Sequence, residues 1–187
     1  MTSPADQLRY QAGALHDLIG GVQTDQWSIA TPCANWSVRD LVNHLVGGGT
    51  MLAAGFRGEA IEVGDSGIPD MLGDDATAAW DQVVADFEAA VSAPGVMDHE
   101  VVLPFRTLPA QVALDIATFD LLVHAWDLAQ ATGQSFEPPD DVVAAGRQIA
   151  ETIVVGLRDG DTFADAAEAP HGASPIEQLA AYCGRSI

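Results

Sequence analysis

Residues 108–132, LPAQVALDIATFDLLVHAWDLAQAT, constrain this chain more than any other stretch. The run reads as one long helix, with Thr107 as its N-cap and Gly133 as its stop, and it is apolar on almost every side. A helix of that kind must be enclosed by other elements, so it is expected at the centre of the fold. It cannot be a membrane span, because Asp115, Asp120, His124 and Asp127 interrupt it; a span needs about 20 predominantly apolar residues.

The rest of the sequence supplies helices to surround it. Pro4 can open a first helix with Leu8, Ala12, Leu15, Leu18 and Ile19 at helical spacing, fraying at Gly20-Gly21. Ser37 caps a second helix, with Asp40 completing a capping box and Val38, Leu41, Val42, Leu45 and Val46 forming its apolar stripe. Gly47-Gly48-Gly49 then either weakens that helix or allows very close packing. A third helix is expected from about Asp74 to Ala93, stopped by Pro94-Gly95. Pro138-Pro139 opens a fifth, and a short terminal helix runs from about Ser174 to Tyr182. Residues 57–73 and 156–172 read as long loops, and 99–107 as a short extended piece. With almost no strand signal, the expectation is an all-α bundle, a single domain over 1–187.

Composition narrows the function. Hydrophobic residues make up 48%, enough for a packed core. The 27 acidic residues face only seven basic ones, giving a formal charge of −20, and every basic residue is an arginine. Such a surface repels nucleic-acid phosphates and anionic lipids, so neither nucleic acid nor a membrane is expected as partner. The N-terminus has neither a basic start nor an apolar run, which points to a cytoplasmic protein. Cys33 and Cys183 lie far apart without metal-type spacing and are expected as free thiols.

The chemistry concentrates in the central helix. Asp120 and His124, four residues apart, project within about 40° of each other, and Asp127 follows along the same face. Two pairings satisfy them: a local Asp120–His124 ion pair, or a metal ion held by both with a third ligand from another helix. His44 is the natural third ligand. It lies roughly 130° from the centre of its own apolar stripe, so it serves either as a surface residue paired with Asp40 or as a flank residue turned to a neighbouring helix. Asp127 is read either as a solvated carboxylate or as the group that orients a ligand histidine. His16, His99 and His171 read as surface residues, and Trp27, Trp36, Trp80 and Trp126 as core. Cys33 is either a small packing residue or a thiol acidified by the following helix N-terminus. No phosphate loop or Ser/His/Asp nucleophile motif is present.

TPCANWSVRDLVNHLVGG, followed some eighty residues later by DLLVHAWDLAQATGQ, resembles the metal-binding domain of mycothiol-dependent maleylpyruvate isomerases, a DinB-like four-helix bundle. The terminal SPIEQLAAYCGR is similar to the ending of single-domain relatives, with an additional short C-terminal helix. The resemblance implies a metal site made of His44, Asp120 and His124. The family's acidic ligand is Glu, so Asp120 would hold the metal closer to its helix. The isomerase also carries a further C-terminal domain that this chain is too short to include, which points to a substrate other than maleylpyruvate.

Three protein ligands leave a position open, the mark of a catalytic site. Two imidazoles and a carboxylate suit Zn²⁺ first, then Fe²⁺ or Ni²⁺. The open position would bind and deprotonate a thiol, mycothiol by the resemblance, for transfer to an electrophilic substrate or for cis–trans isomerisation. The alternatives are a non-catalytic metal-binding or interaction bundle, and a metal-free protein in which Asp120 and His124 form a structural pair. A homodimer is compatible with a bundle of this size.

Overall fold

The computed structural model describes residues 4–33, 35–59, 69–104, 106–158 and 163–187. Its helices are α1 (Pro4–Gly20), α2 (Val38–Phe56), α3 (Ala76–Val91), α4 (Ala110–Thr132), α5 (Asp140–Ile153) and α6 (Pro175–Tyr182). Between α3 and α4 lie two short antiparallel strands, β1 (Glu100–Leu103) and β2 (Arg106–Pro109). Each expected helix is present, and the all-α expectation holds with this hairpin added. Parts of both expected long loops, 60–68 and 159–162, fall outside the described residues.

The chain divides into two compact units, one of Met1–Val38 with Thr118–Ile187 and one of Arg39–Ala117. In the Arg39–Ala117 unit, Leu41, Val42, Leu45 and Val46 of α2 are buried, as their spacing required. The triple glycine does not end α2, which runs on to Phe56. Close packing is the outcome at Gly49, whereas a Cβ on Gly48 would meet open space. A Cβ on Gly49 would lie 3.0 Å from Val83 of α3, and one on Gly55 would lie 2.9 Å from Val101 of β1. Phe56 and Phe87 meet edge to face, 5.7 Å between centroids. Thr107 is not a helix cap. It pairs with Val102 in the hairpin, and α4 starts only at Ala110, after Pro109, whose missing N–H ends the strand.

The other unit is built from α1, the part of α4 from Thr118 onward, α5 and α6. Here α4 is buried nearly all round: Phe119, Leu122, Val123, Ala125, Trp126, Leu128 and Ala129 are all inaccessible. Leu122, Trp126, Val142, Val143, Ala150, Ile176 and Leu179 form one apolar cluster. Ser174 caps α6 through a reciprocal box with Glu177. Gly146 of α5 permits the closest approach. A Cβ there would sit 2.5 Å from Leu122 Cδ2 and 3.4 Å from Leu179 Cδ2. Gly146→Ala is therefore expected to destabilise the protein by about 1–2 kcal/mol in urea unfolding, although alanine is the better helix former by about 1 kcal/mol.

Candidate metal centre

The site is built on α4. Asp120 and His124, one turn apart, bring a carboxylate oxygen to 3.3 Å from the imidazole Nε2. The His124 side chain is 7% exposed and that of Asp120 41%, so the imidazole is enclosed while the carboxylate faces outward. On the other side of the ring, Nδ1 lies 2.9 Å from Asp127 Oδ2. Asp127 is fully buried, which removes the solvated reading and leaves it as the group that holds the histidine.

The buried carboxylate is neutralised by a residue that no pattern in the sequence singles out. Arg185, just beyond α6, donates from Nε to Asp127 Oδ1 at 3.2 Å and from a terminal nitrogen to Oδ2 at 2.9 Å. Its remaining nitrogen donates to the Cys183 carbonyl at 3.1 Å. Burial raises the Asp127 pKa, and the hydrogen bonds from His124 and Arg185 outweigh that, holding it below the usual carboxylate value. Burial likewise pulls His124 down, but Asp120 and then Asp127 oppose it and carry the imidazole up to about 9.

The segment before α2 closes over the ring. Asn35 takes a left-handed backbone with φ 67°, a conformation asparagine tolerates, and turns the chain where the sequence suggested. Thr31 N–H donates to the Trp36 carbonyl at 2.9 Å, and the Thr31 hydroxyl accepts from Cys33 N–H at 3.2 Å. This tight loop lays Trp36 on His124, with ring centroids 5.6 Å apart, so Trp36 is a wall of the site rather than core filler. It also places Cys33. The Cys33 sulfur, an imidazole nitrogen of His124 and a carboxylate oxygen of Asp127 all lie within 4.8 Å of one another. That trio is poorly suited to a metal, because Asp127 already carries two hydrogen bonds from a guanidinium. Burial, moreover, pushes the Cys33 thiol up to about 11, so it stays protonated and the acidified-thiol reading fails.

His44 lies on α2 in the Arg39–Ala117 unit and is half-buried. Beside it, Asn43 holds residues 69–71 by donating to the Pro69 carbonyl and accepting from Met71 N–H. His16, His99 and His171 are exposed, as expected. Both cysteines are free thiols. No helix among the described residues is long and apolar enough to cross a membrane.

These features define a helical protein of the DinB-like class, with a histidine set between two carboxylates on its most enclosed helix. The chain belongs to the family of the mycothiol maleylpyruvate isomerase N-terminal domain, whose profile matches residues 8–129. Uncharacterized proteins from two strains of Mycobacterium tuberculosis are each 36% identical to it over 173 residues, covering 91% of both chains. Among solved structures, a histidine-to-alanine mutant of the mycothiol-dependent maleylpyruvate isomerase superposes with a TM-score of 0.67 at 13% identity, over 88% of this chain and 73% of that one. A second structure of the mycothiol-dependent maleylpyruvate isomerase gives 0.60 at 16%, over 76% and 65%. At these identities the likeness is one of fold.

Proposed function

We propose that this protein binds a divalent metal through His44, Asp120 and His124 and uses it to activate a low-molecular-weight thiol, mycothiol by family, for transfer to an electrophilic small molecule or for its isomerisation. The supporting observation is the 3.3 Å between Asp120 Oδ1 and His124 Nε2. Two ligands bound at about 2.0–2.1 Å in a tetrahedron stand about 3.3–3.4 Å apart, so this pair is spaced as one edge of a zinc site. The shorter Asp in place of the Glu expected from the resemblance is compatible with that spacing. Zn²⁺ is the first choice of ion, with Fe²⁺ and Ni²⁺ accepted by the same donors.

An ion held by these residues would lower the pKa of a coordinated thiol enough to ionise it at neutral pH. The chain's own residues do the rest. Asp127 holds Nδ1 of His124, which leaves Nε2 as the nitrogen available to a ligand. Trp36 covers one face of the ring and keeps water from it. Cys33, held protonated, does not compete as nucleophile. The setting is a soluble cytoplasmic protein, its 1–187 acting as one domain.

A second reading draws on the same contact. His124 between two carboxylates is also a stable imidazolium, and then Asp120 and His124 are a structural pair or part of a non-catalytic interaction module. Metal content separates the readings. Protein purified without chelator should carry about one ion per chain by mass spectrometry, and His44→Ala should carry none while keeping its helical circular dichroism. Metal-free wild type, unchanged in stability on adding Zn²⁺, would leave only the structural pair. Consumption of a thiol and an electrophile by the loaded protein, absent in His44→Ala, is the expected sign of catalysis.

A further inference from the structure

We propose that Arg185 is a positioning residue for the metal centre, setting the orientation of the His124 imidazole through Asp127. The inference deepens the metal reading and rests on it for one of its two readouts. Arg185 lies outside the matched stretch 8–129 and is brought to the site by the fold alone.

The geometry is that of a fixed chain of contacts. A guanidinium is planar, and its paired contacts to Oδ1 at 3.2 Å and Oδ2 at 2.9 Å fix the plane of the Asp127 carboxylate. Oδ2, held in this way, is the oxygen 2.9 Å from His124 Nδ1. The third contact, to the Cys183 carbonyl, ties the guanidinium to the end of α6. The backbone there is equally determined. Gly184 has φ 84°, and a Cβ on it would lie 2.8 Å from the Ala164 carbonyl oxygen, so only glycine fits. Arg185 N–H then donates to the Ala180 carbonyl at 3.0 Å, which aims the side chain inward.

Stability alone is a poor reason for this arrangement. A buried ion pair returns little net free energy once desolvation is counted. Arg185 is 5% exposed and Asp127 0%, in a chain with seven arginines and a charge of −20. The other arginine–carboxylate pairs among the described residues, such as Arg39–Asp70 and Arg147–Glu151, are at the surface. What the buried pair does is hold one oxygen against one ring nitrogen.

The test is a double-mutant cycle on metal affinity. Zn²⁺ affinity is measured by competition with a chromophoric chelator for wild type, Arg185→Lys, Arg185→Gln, Asp127→Asn and the Arg185→Gln/Asp127→Asn pair. Arg185→Gln should weaken binding about 10–100-fold, the usual effect of losing an outer partner of a ligand histidine. Arg185→Lys keeps the charge but not the two-pronged contact and should also weaken it. In the Asp127→Asn background Arg185→Gln should cost nothing further. A purely structural Arg185 would lower the melting temperature and leave affinity within about threefold, and additive losses would show that it does not act through Asp127; either result overturns the proposal.

The second readout needs no metal. The ¹H–¹³C signal of the His124 ring in the metal-free protein, assigned by His124→Gln, should shift or broaden in both Arg185 variants. Should wild type bind no zinc, the metal reading fails and this signal decides the present proposal by itself, an unchanged ring rejecting it. Arg185→Lys, the milder change, supplies both readouts if Arg185→Gln does not fold.

Discussion

Asp127→Ala is expected to destabilise the protein by about 3–5 kcal/mol in urea unfolding, the usual cost of removing one member of a buried ion pair. The substitution deletes both carboxylate acceptors of Arg185 and leaves a guanidinium that is 5% exposed with the Cys183 carbonyl as its hydrogen-bond acceptor among the described residues. It also removes the carboxylate 2.9 Å from His124 Nδ1. Asp120→Ala is the contrasting control. That side chain is 41% exposed, so its loss strands no buried guanidinium and should cost less than Asp127→Ala, while removing a proposed ligand and the first of the two carboxylates that hold the His124 proton. A fold insensitive to Asp127→Ala would mean that Arg185 finds water or another acceptor, and the buried network would lose its importance.

The second large effect is a stability curve for metal-free protein that falls on the alkaline side. His124 is raised to about 9 from an ordinary value near 6.5. A group whose folded pKa is raised stabilises fully below its unfolded pKa, and the contribution fades as pH rises through the folded one. Stability should therefore decline between about pH 6.5 and 9, by on the order of 3 kcal/mol. Asp127 works in the opposite sense. Its folded pKa is depressed, so its contribution is present above about pH 4 and is lost as pH falls through the folded value. The metal-free protein should thus be most stable between about pH 4 and 6.5. His124→Gln should abolish the alkaline slope in thermal melts at stepped pH. Added Zn²⁺ should reverse that slope in wild type, because metal and proton compete for Nε2. A melting temperature flat from pH 6.5 to 9 in the metal-free protein would show that the two carboxylates do not hold a proton on the ring.

Much of this was legible in the sequence because helices write themselves locally. The spacing of Leu8, Ala12, Leu15 and Leu18, the stop at Gly133, the start at Pro138-Pro139, and the serine at 174 each fix an element within a few residues. Asp120 and His124 were legible for the same reason, since four residues on a helix is a distance. The hairpin was not. Its strands are four residues each, the second ends in proline, and what holds them is a packing surface on Gly55 of α2 that no local pattern announces. Arg185 was invisible for a sharper reason. It is 58 positions from Asp127, and no periodicity links a terminal Gly-Arg to the middle of a buried helix. A lone arginine following a helix-ending glycine, in a chain so short of cations, was the available hint. Trp36 shows the same limit: its residue type predicts core, whereas the loop around Asn35 turns its ring onto a histidine 88 positions away.

That stacking gives the protein an optical voice. With the indole 5.6 Å from the imidazole, Trp36 emission is expected to be quenched while the imidazole carries a proton and to brighten when the proton leaves. The emission lost in Trp36→Phe therefore isolates a signal that follows the charge on His124 from the emission of the three other tryptophans. Proton release at the site, whether driven by alkali or by an arriving ion, can be followed in real time by light from the protein itself, with no label attached.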